Sequence, residues 1–252
     1  TRKESSAASD VYKRQVLMFL AAIVAAFWYL RAEEAEREQE ALRRDVEYAQ
    51  QRVRLRLLER QEQLMRIARD VSNQDLGKAE FISRAEALIS QYPELQAITW
   101  IDDRRRIRAS QAAPTLASGE LRIAGEVLKP GDTADTFGLA RDLQQPVYAQ
   151  PAATSGDATP LLQLQVPLNN QGKFSGVVLG EYSIDSLLRY GTPTEVLARY
   201  AVTLLDSKNQ VLAGTPLGPR NKATQLLPWT PKANEYEAVS YTHLRAHETK
   251  AN

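Results

Sequence analysis

The sequence predicts an α+β protein. An N-terminal transmembrane helix and a long stalk helix lead into an antiparallel sheet flanked by helices. Three observations carry this. Residues 16–30 read VLMFLAAIVAAFWYL, with no charge and no polar break. Residues 31–70 contain neither Gly nor Pro and are rich in Glu, Arg, Gln, Ala and Leu. After residue 96 the apolar period falls from three-and-four to two, the change from helix to half-buried strand.

The two ends of the chain stand apart from the rest. Residues 5–15 (SSAASDVYKRQ) and 239–249 (VSYTHLRAHET) resemble the two ends of a transposase-type sequencing adapter read as protein. Residues 1–4 and 250–252 fit index bases beyond them. The natural fragment is then residues 16–237, with 1–15 and 238–252 adapter-derived and outside fold reasoning. Source DNA is expected to lack codons for 5–15 and 239–249; finding them there would overturn this division.

That division removes chemistry. The chain has 2 His, His243 and His247, and both fall in the second adapter segment. With 0 Cys as well, the fragment lacks the two most versatile zinc-binding and catalytic side chains. Lys and Arg fall from 32 to 26 and Asp and Glu from 31 to 28, so the formal net charge goes from +1 to −2. A slightly acidic fragment gives no support for a nucleic-acid partner. The lack of Cys means that no disulfide holds the fold, and leaves the compartment open.

The elements follow in order. A full span needs roughly 20 apolar residues. The run 16–30 is shorter, but the adapter boundary cuts it. Phe27, Trp28 and Tyr29 suit a membrane–water interface and do not suit a signal-peptide cleavage site. The stalk helix is predicted over 31–72, with Leu42, Val46, Ala49, Val53, Leu57, Leu64, Ile67 and Val71 on one face. That face packs on a partner subunit or on the following domain, and Arg60 interrupts it. The acidic exit from the span (residues 31–40) weakly favours the outside of the cell. A short amphipathic helix is predicted over 81–90, and strands over 97–101 and 106–110 around an Asp102–Arg105 turn. PLLQLQVP (160–167) alternates as a half-buried strand does. Residues 169–172 form a turn, 174–182 a further strand and 184–190 a helix. Residues 201–205, 206–209 and 211–214 repeat the strand–turn–strand pattern, and signals fade from 215 to 231.

Four segments carry a family resemblance. QAITWIDDRRRIRAS (96–110) resembles the first hairpin of extracytoplasmic PAS-like sensor modules of the Cache type. LQLQVPL (162–168) followed by GKFSGVVLG (172–180) is similar to the strands that close such a module. IDSLL (184–188) is similar to the helix that follows, and YAVTLLDSKNQVLA (200–213) to the start of a second module. The resemblance implies a PAS-like sheet in a membrane-distal module over 73–192 and a second, truncated module over 193–237. It further implies the sensory half of a bacterial inner-membrane receptor with a periplasmic sensor domain, above all a sensor histidine kinase of a two-component system. The alternatives are the ectodomain of a chemoreceptor or of a cyclic-dinucleotide synthase, and a membrane-anchored coiled-coil structural protein. The period-two strands argue against the last. The implied partners are a small-molecule ligand, a carboxylate by its expected anchor; the inner membrane; and a second copy of the chain bound through the stalk.

No nucleophile elbow, Gly-rich phosphate loop or metal-ligand spacing is present, so no catalytic residue, cofactor or metal is predicted. Asp102, Asp103 and Asp206 read as turn formers, and Arg104–Arg106 as a solvated hairpin tip. The resemblance places residues 140–149 along the ligand cavity, which marks Arg141 as a fork for a carboxylate and Tyr148 as a rigid hydroxyl. Trp100 and Tyr182 are the aromatics expected on its wall. Their ordinary reading is core packing, and for Arg141 it is pairing with Asp142 or another surface acid.

Overall fold

The computed structural model describes residues 2–116, 122–128, 132–149, 161–205, 211–214, 220–229 and 242–249. The chain divides into two units, Thr1–Arg44 and Asp45–Asn252. Helix α1 (Arg2–Ser72) begins in the first unit and ends in the second.

In the first unit the run 16–30 is exposed along its length, with Trp28 at 73%. The helix is long and apolar enough to cross a membrane. None of that apolar window is buried in protein, unlike the core helix of a soluble domain.

The second unit is an α+β domain. Helix α2 is Lys78–Gln91, and its start is fixed by Glu80, whose carboxylate accepts from the Gly77 amide at 3.0 Å. Strands β1 (Leu95–Asp102) and β2 (Ile107–Ala112) form the predicted hairpin. Asp102 Oδ1 accepts from the amides of Arg104 (3.0 Å) and Arg106 (2.8 Å), the Asx geometry that makes Asp a turn former. Helix α3 (Asp132–Leu143) and strand β3 (Val147–Ala149) come next; residues 150–160 lie outside the described ones. Strands β4 (Leu161–Asn170) and β5 (Lys173–Ser183) are the longest pair, and β5 runs into helix α4 (Ile184–Gly191). Ser183 Oγ caps α4 by accepting from the Ser186 amide. The sheet is antiparallel, as the alternating strands predict, and its order is β2-β1-β5-β4-β3.

Alternation sorts this sheet into two faces. One carries Ile98, Trp100, Tyr148, Leu162, Leu164, Val178, Gly180 and Tyr182, which share pleat positions across the paired strands. It faces α1 and α2: Leu64 lies against the backbone of Gly180, and Phe81 stacks on Trp100 at 5.8 Å. The predicted apolar stripe of the stalk is therefore buried from Val46 onward on its own domain. Leu57, Leu64 and Ile67 are each 1% exposed and contribute about 1.5–3 kcal/mol apiece. The other face carries Thr99, Ile101, Gln163, Val177, Leu179 and Glu181. There Phe137 and Ala140 of α3 join Ile101, Ile107, Leu128, Val147, Val177 and Leu179 in one core cluster.

Arg60, which breaks the stripe, is 6% exposed and belongs to a buried ionic network. Glu94, fully buried, accepts from Arg56 Nε (2.8 Å) and Arg60 Nε (3.0 Å). Arg56 also donates to the Tyr190 carbonyl at 2.6 Å, and the Ser183 amide donates to the Glu94 carbonyl at 2.8 Å. The Arg60 guanidinium stacks on Tyr92, 3.5 Å from its ring centroid. Stalk, β1, β5 and α4 are thus tied at one point.

Helix α5 (Thr194–Arg199) and strands β6 (Tyr200–Leu205) and β7 (Val211–Gly214) follow, with the expected turn at 206–209 outside the described residues. Where sequence signals fade, the structure has strand β8 (Arg220–Trp229). Strand β9 (Thr242–Thr249) completes a second sheet in the order β7-β6-β9-β8. β9 falls in the segment read as adapter. Its backbone pairs with β6, placing Leu244 opposite Leu204 and Ala246 opposite Val202. Ladder pairing tolerates any alternating sequence, because the hydrogen bonds come from the backbone.

Candidate functional site

The face of the first sheet away from the stalk changes character along β5. Beyond Leu179 the next residue on that face is Glu181, a carboxylate 2% exposed just after the apolar run Val177–Leu179. Arg122 grips it through both ends of the guanidinium fork, Nε at 2.8 Å and Nη2 at 2.6 Å. Gln163, directly opposite on β4, donates to the same carboxylate at 2.9 Å. Two positions across on that face, Thr99 and Ser110 share a hydroxyl–hydroxyl bond of 2.8 Å. A buried, bidentate ion pair of this kind costs desolvation of both charges and is weak as a device for stability alone. Glu181 and Arg122 offer one anionic and one cationic partner side by side, and neither can be removed without stranding the other.

The four residues expected from sequence are not brought together. Trp100, Tyr148 and Tyr182 lie on the stalk side of the sheet. Arg141 is on the last turn of α3, on the opposite side. Trp100 packs on Phe81. Tyr182 is 0% exposed. Among the described residues the hydroxyls of Tyr148 and Tyr182 have no hydrogen-bond partner, and burial pushes both phenols above their usual range. Arg141, 56% exposed, bonds Asp142 through Nε at 2.8 Å, and that contact raises the guanidinium pKa and lowers the Asp142 carboxyl pKa. Arg141 is thus paired with a neighbouring surface acid. Glu181, Arg122 and Gln163 escaped the sequence reading, although a lone Glu inside GVVLGEYS (176–183) was a usable signal. Among the described residues no group of three or more His, Asp or Glu is placed to hold a metal.

No protein-family model matches the chain, and no curated protein sequence matches it. Solved structures do. The ligand-binding domain of the Pseudomonas fluorescens chemoreceptor CtaA in complex with L-serine is similar at a TM-score of 0.57 and 14% identity, covering 84% of this chain and 98% of that one. The ligand-binding domain of the Pseudomonas aeruginosa PAO1 amino acid chemoreceptor PctC in complex with GABA gives 0.56 and 10%, covering 83% and 99%. That of the chemoreceptor PctB from the same organism, in complex with L-Arg, gives 0.57 and 13%, covering 84% and 95%. The chain has the fold of these bacterial chemoreceptor ligand-binding domains, the Cache-type fold that its sequence resembles.

Proposed function

We propose that this chain is the extracytoplasmic ligand-sensing portion of a transmembrane receptor, and that its ligand is a small amino-acid-like zwitterion. The Glu181–Arg122 pair carries the reading. A ligand that displaced one partner alone would leave the other charge buried and unpaired, which costs several kcal/mol. A zwitterion replaces both: its carboxylate takes the Arg122 fork and its ammonium takes Glu181 and a neighbouring hydroxyl. The similar domains carry serine, GABA and arginine, which are zwitterions of this kind.

Signal leaves the site through β5. Glu181 faces the ligand side, Tyr182 the stalk side, and Ser183 bonds Glu94, which holds Arg56 and Arg60 of the stalk. A ligand biases such an assembly only by binding one of its states better. Two copies pair through the other side of the stalk, where Tyr48, Leu55 and Leu58 stay exposed opposite the buried stripe. The exposed run 16–30 spans the inner membrane. For the output, the chemoreceptor reading has the structural neighbours in its favour, and the histidine-kinase reading rests on the sequence resemblance. Sequence downstream of residue 237 separates them.

Thermal unfolding of the full chain in detergent, with amino acids, GABA and simple carboxylates added, tests the ligand class. Amino acids are expected to stabilise it, by an amount set by concentration over dissociation constant. Glu181→Gln abolishes the effect and Arg141→Ala leaves it intact. Stabilisation by an amino acid that survives Glu181→Gln, or that a monocarboxylate such as acetate matches, rejects the proposal. A periplasm-only reporter fused after Gly214 is expected to be active; activity of a cytoplasm-only reporter there reverses the topology.

A further inference from the structure

On the stalk side of the second unit, α1 and α2 enclose a groove of about 260 Å³. Three guanidinium groups line it: Arg66 and Arg69 from α1, and Arg84 from α2. Its floor is apolar, with Ile67 1% exposed and Leu88 beside it, and Gln63 adds a neutral amide at the edge. Two carboxylates answer the three cations. Asp70 bonds Arg84, and Glu62 pairs with Arg66 at 3.1 Å. Arg69 makes no ion pair among the described residues. Three cations against two carboxylates leave one positive charge uncompensated along the groove, which favours an anion there. Each paired arginine still has N–H groups to offer, since a guanidinium carries five.

We infer that this groove is an anion site, for a small doubly charged oxyanion of the phosphate or dicarboxylate class. It is separate from the Glu181 cluster, which lies on the opposite face of the sheet. An occupant would cross-link the stalk to α2 by charge-assisted bonds from both helices. It would thereby stiffen the part of the stalk just beyond the Glu94 network, so that anion concentration adjusts the resting state of the receptor.

The test is thermal unfolding of the full chain in detergent, titrated with inorganic phosphate and, in a second arm, succinate. Ionic strength is held constant with chloride. Saturable stabilisation by either compound beyond the chloride control is expected, and the arm that saturates at lower concentration identifies the class. Arg69→Ala, at an exposed position without an ion pair, is expected to weaken the apparent affinity roughly tenfold. Glu181→Gln is expected to leave it unchanged, which keeps this site distinct from the amino-acid site. No stabilisation beyond chloride, or stabilisation that persists unchanged in Arg69→Ala and in Arg66→Ala, overturns the inference.

Discussion

Replacing Glu94 by glutamine is expected to lower the stability of the second unit by about 3–5 kcal/mol at neutral pH, because it leaves Arg56 and Arg60 facing a neutral group inside the fold. For a domain of this size that corresponds to roughly 6–20 °C in the unfolding midpoint. The pH dependence separates this account from simple misfit. Burial pushes the Glu94 carboxyl upward. The hydrogen bonds from Arg56, the backbone and Arg60, with the Arg56 charge, outweigh it and hold the group below its ordinary value of 4.5. A carboxyl depressed on folding contributes stability that is fully present above its unfolded value and lost as pH falls through the folded one. The gap between the parent and Glu94→Gln should therefore be constant from pH 7 down to about 5 and should narrow below 4.5. A gap that stays the same in acid would show that the variant acts through packing and not through the charge. The variant also bears on signalling. If β5 speaks to the stalk through Ser183 and Glu94, ligand affinity should survive while the response of the stalk is lost.

Much of the fold was legible from one-dimensional pattern. The stalk, both hairpins and α4 each have a run of residues whose period exceeds the noise of a short window: 46-49-53-57-64-67 for the helix, LQLQ for β4. Helix α3 and strand β3 were not legible. β3 has three residues, and α3 sits in a stretch where Gly138 and Asp residues weaken helix propensity, so tertiary packing of Phe137 and Ala140 decides it. The proposed site at Glu181 is less legible, for a geometric reason. Arg141 and Tyr148 are close in sequence, and sequence gives no sign that α3 covers one face of the sheet while the Tyr148 side chain belongs to the other. Glu181 and Tyr182 make the same point within two residues, since the pleat sends neighbours to opposite sides. Arg60 was the most informative irregularity. A cation in an apolar helical stripe demands a buried carboxylate, but nothing in the stripe says that it is Glu94, 34 residues away.

The second large effect is expected at Gly176, where β5 runs against β1. Its φ is +139°, a conformation that L side chains rarely adopt. A Cβ placed there would lie 2.1 Å from the Ile101 carbonyl oxygen and 2.8 Å from Asp102 Cα. Both are backbone atoms of the paired strand, so no rotamer change relieves the contact. Gly176→Ala thus combines dihedral strain with overpacking, together roughly 2–6 kcal/mol. Gly172 supplies the control. Its φ is also positive, +78°, but nothing lies within 4 Å of its would-be Cβ, so Gly172→Ala carries the strain alone, about 1–3 kcal/mol. Denaturant melts of the two variants should separate clearly, with Gly176→Ala the weaker fold. Equal stabilities would mean that β5 and β1 can part at Asp102 without cost. That outcome would also mean that β1 does not hold β5 along its whole paired length.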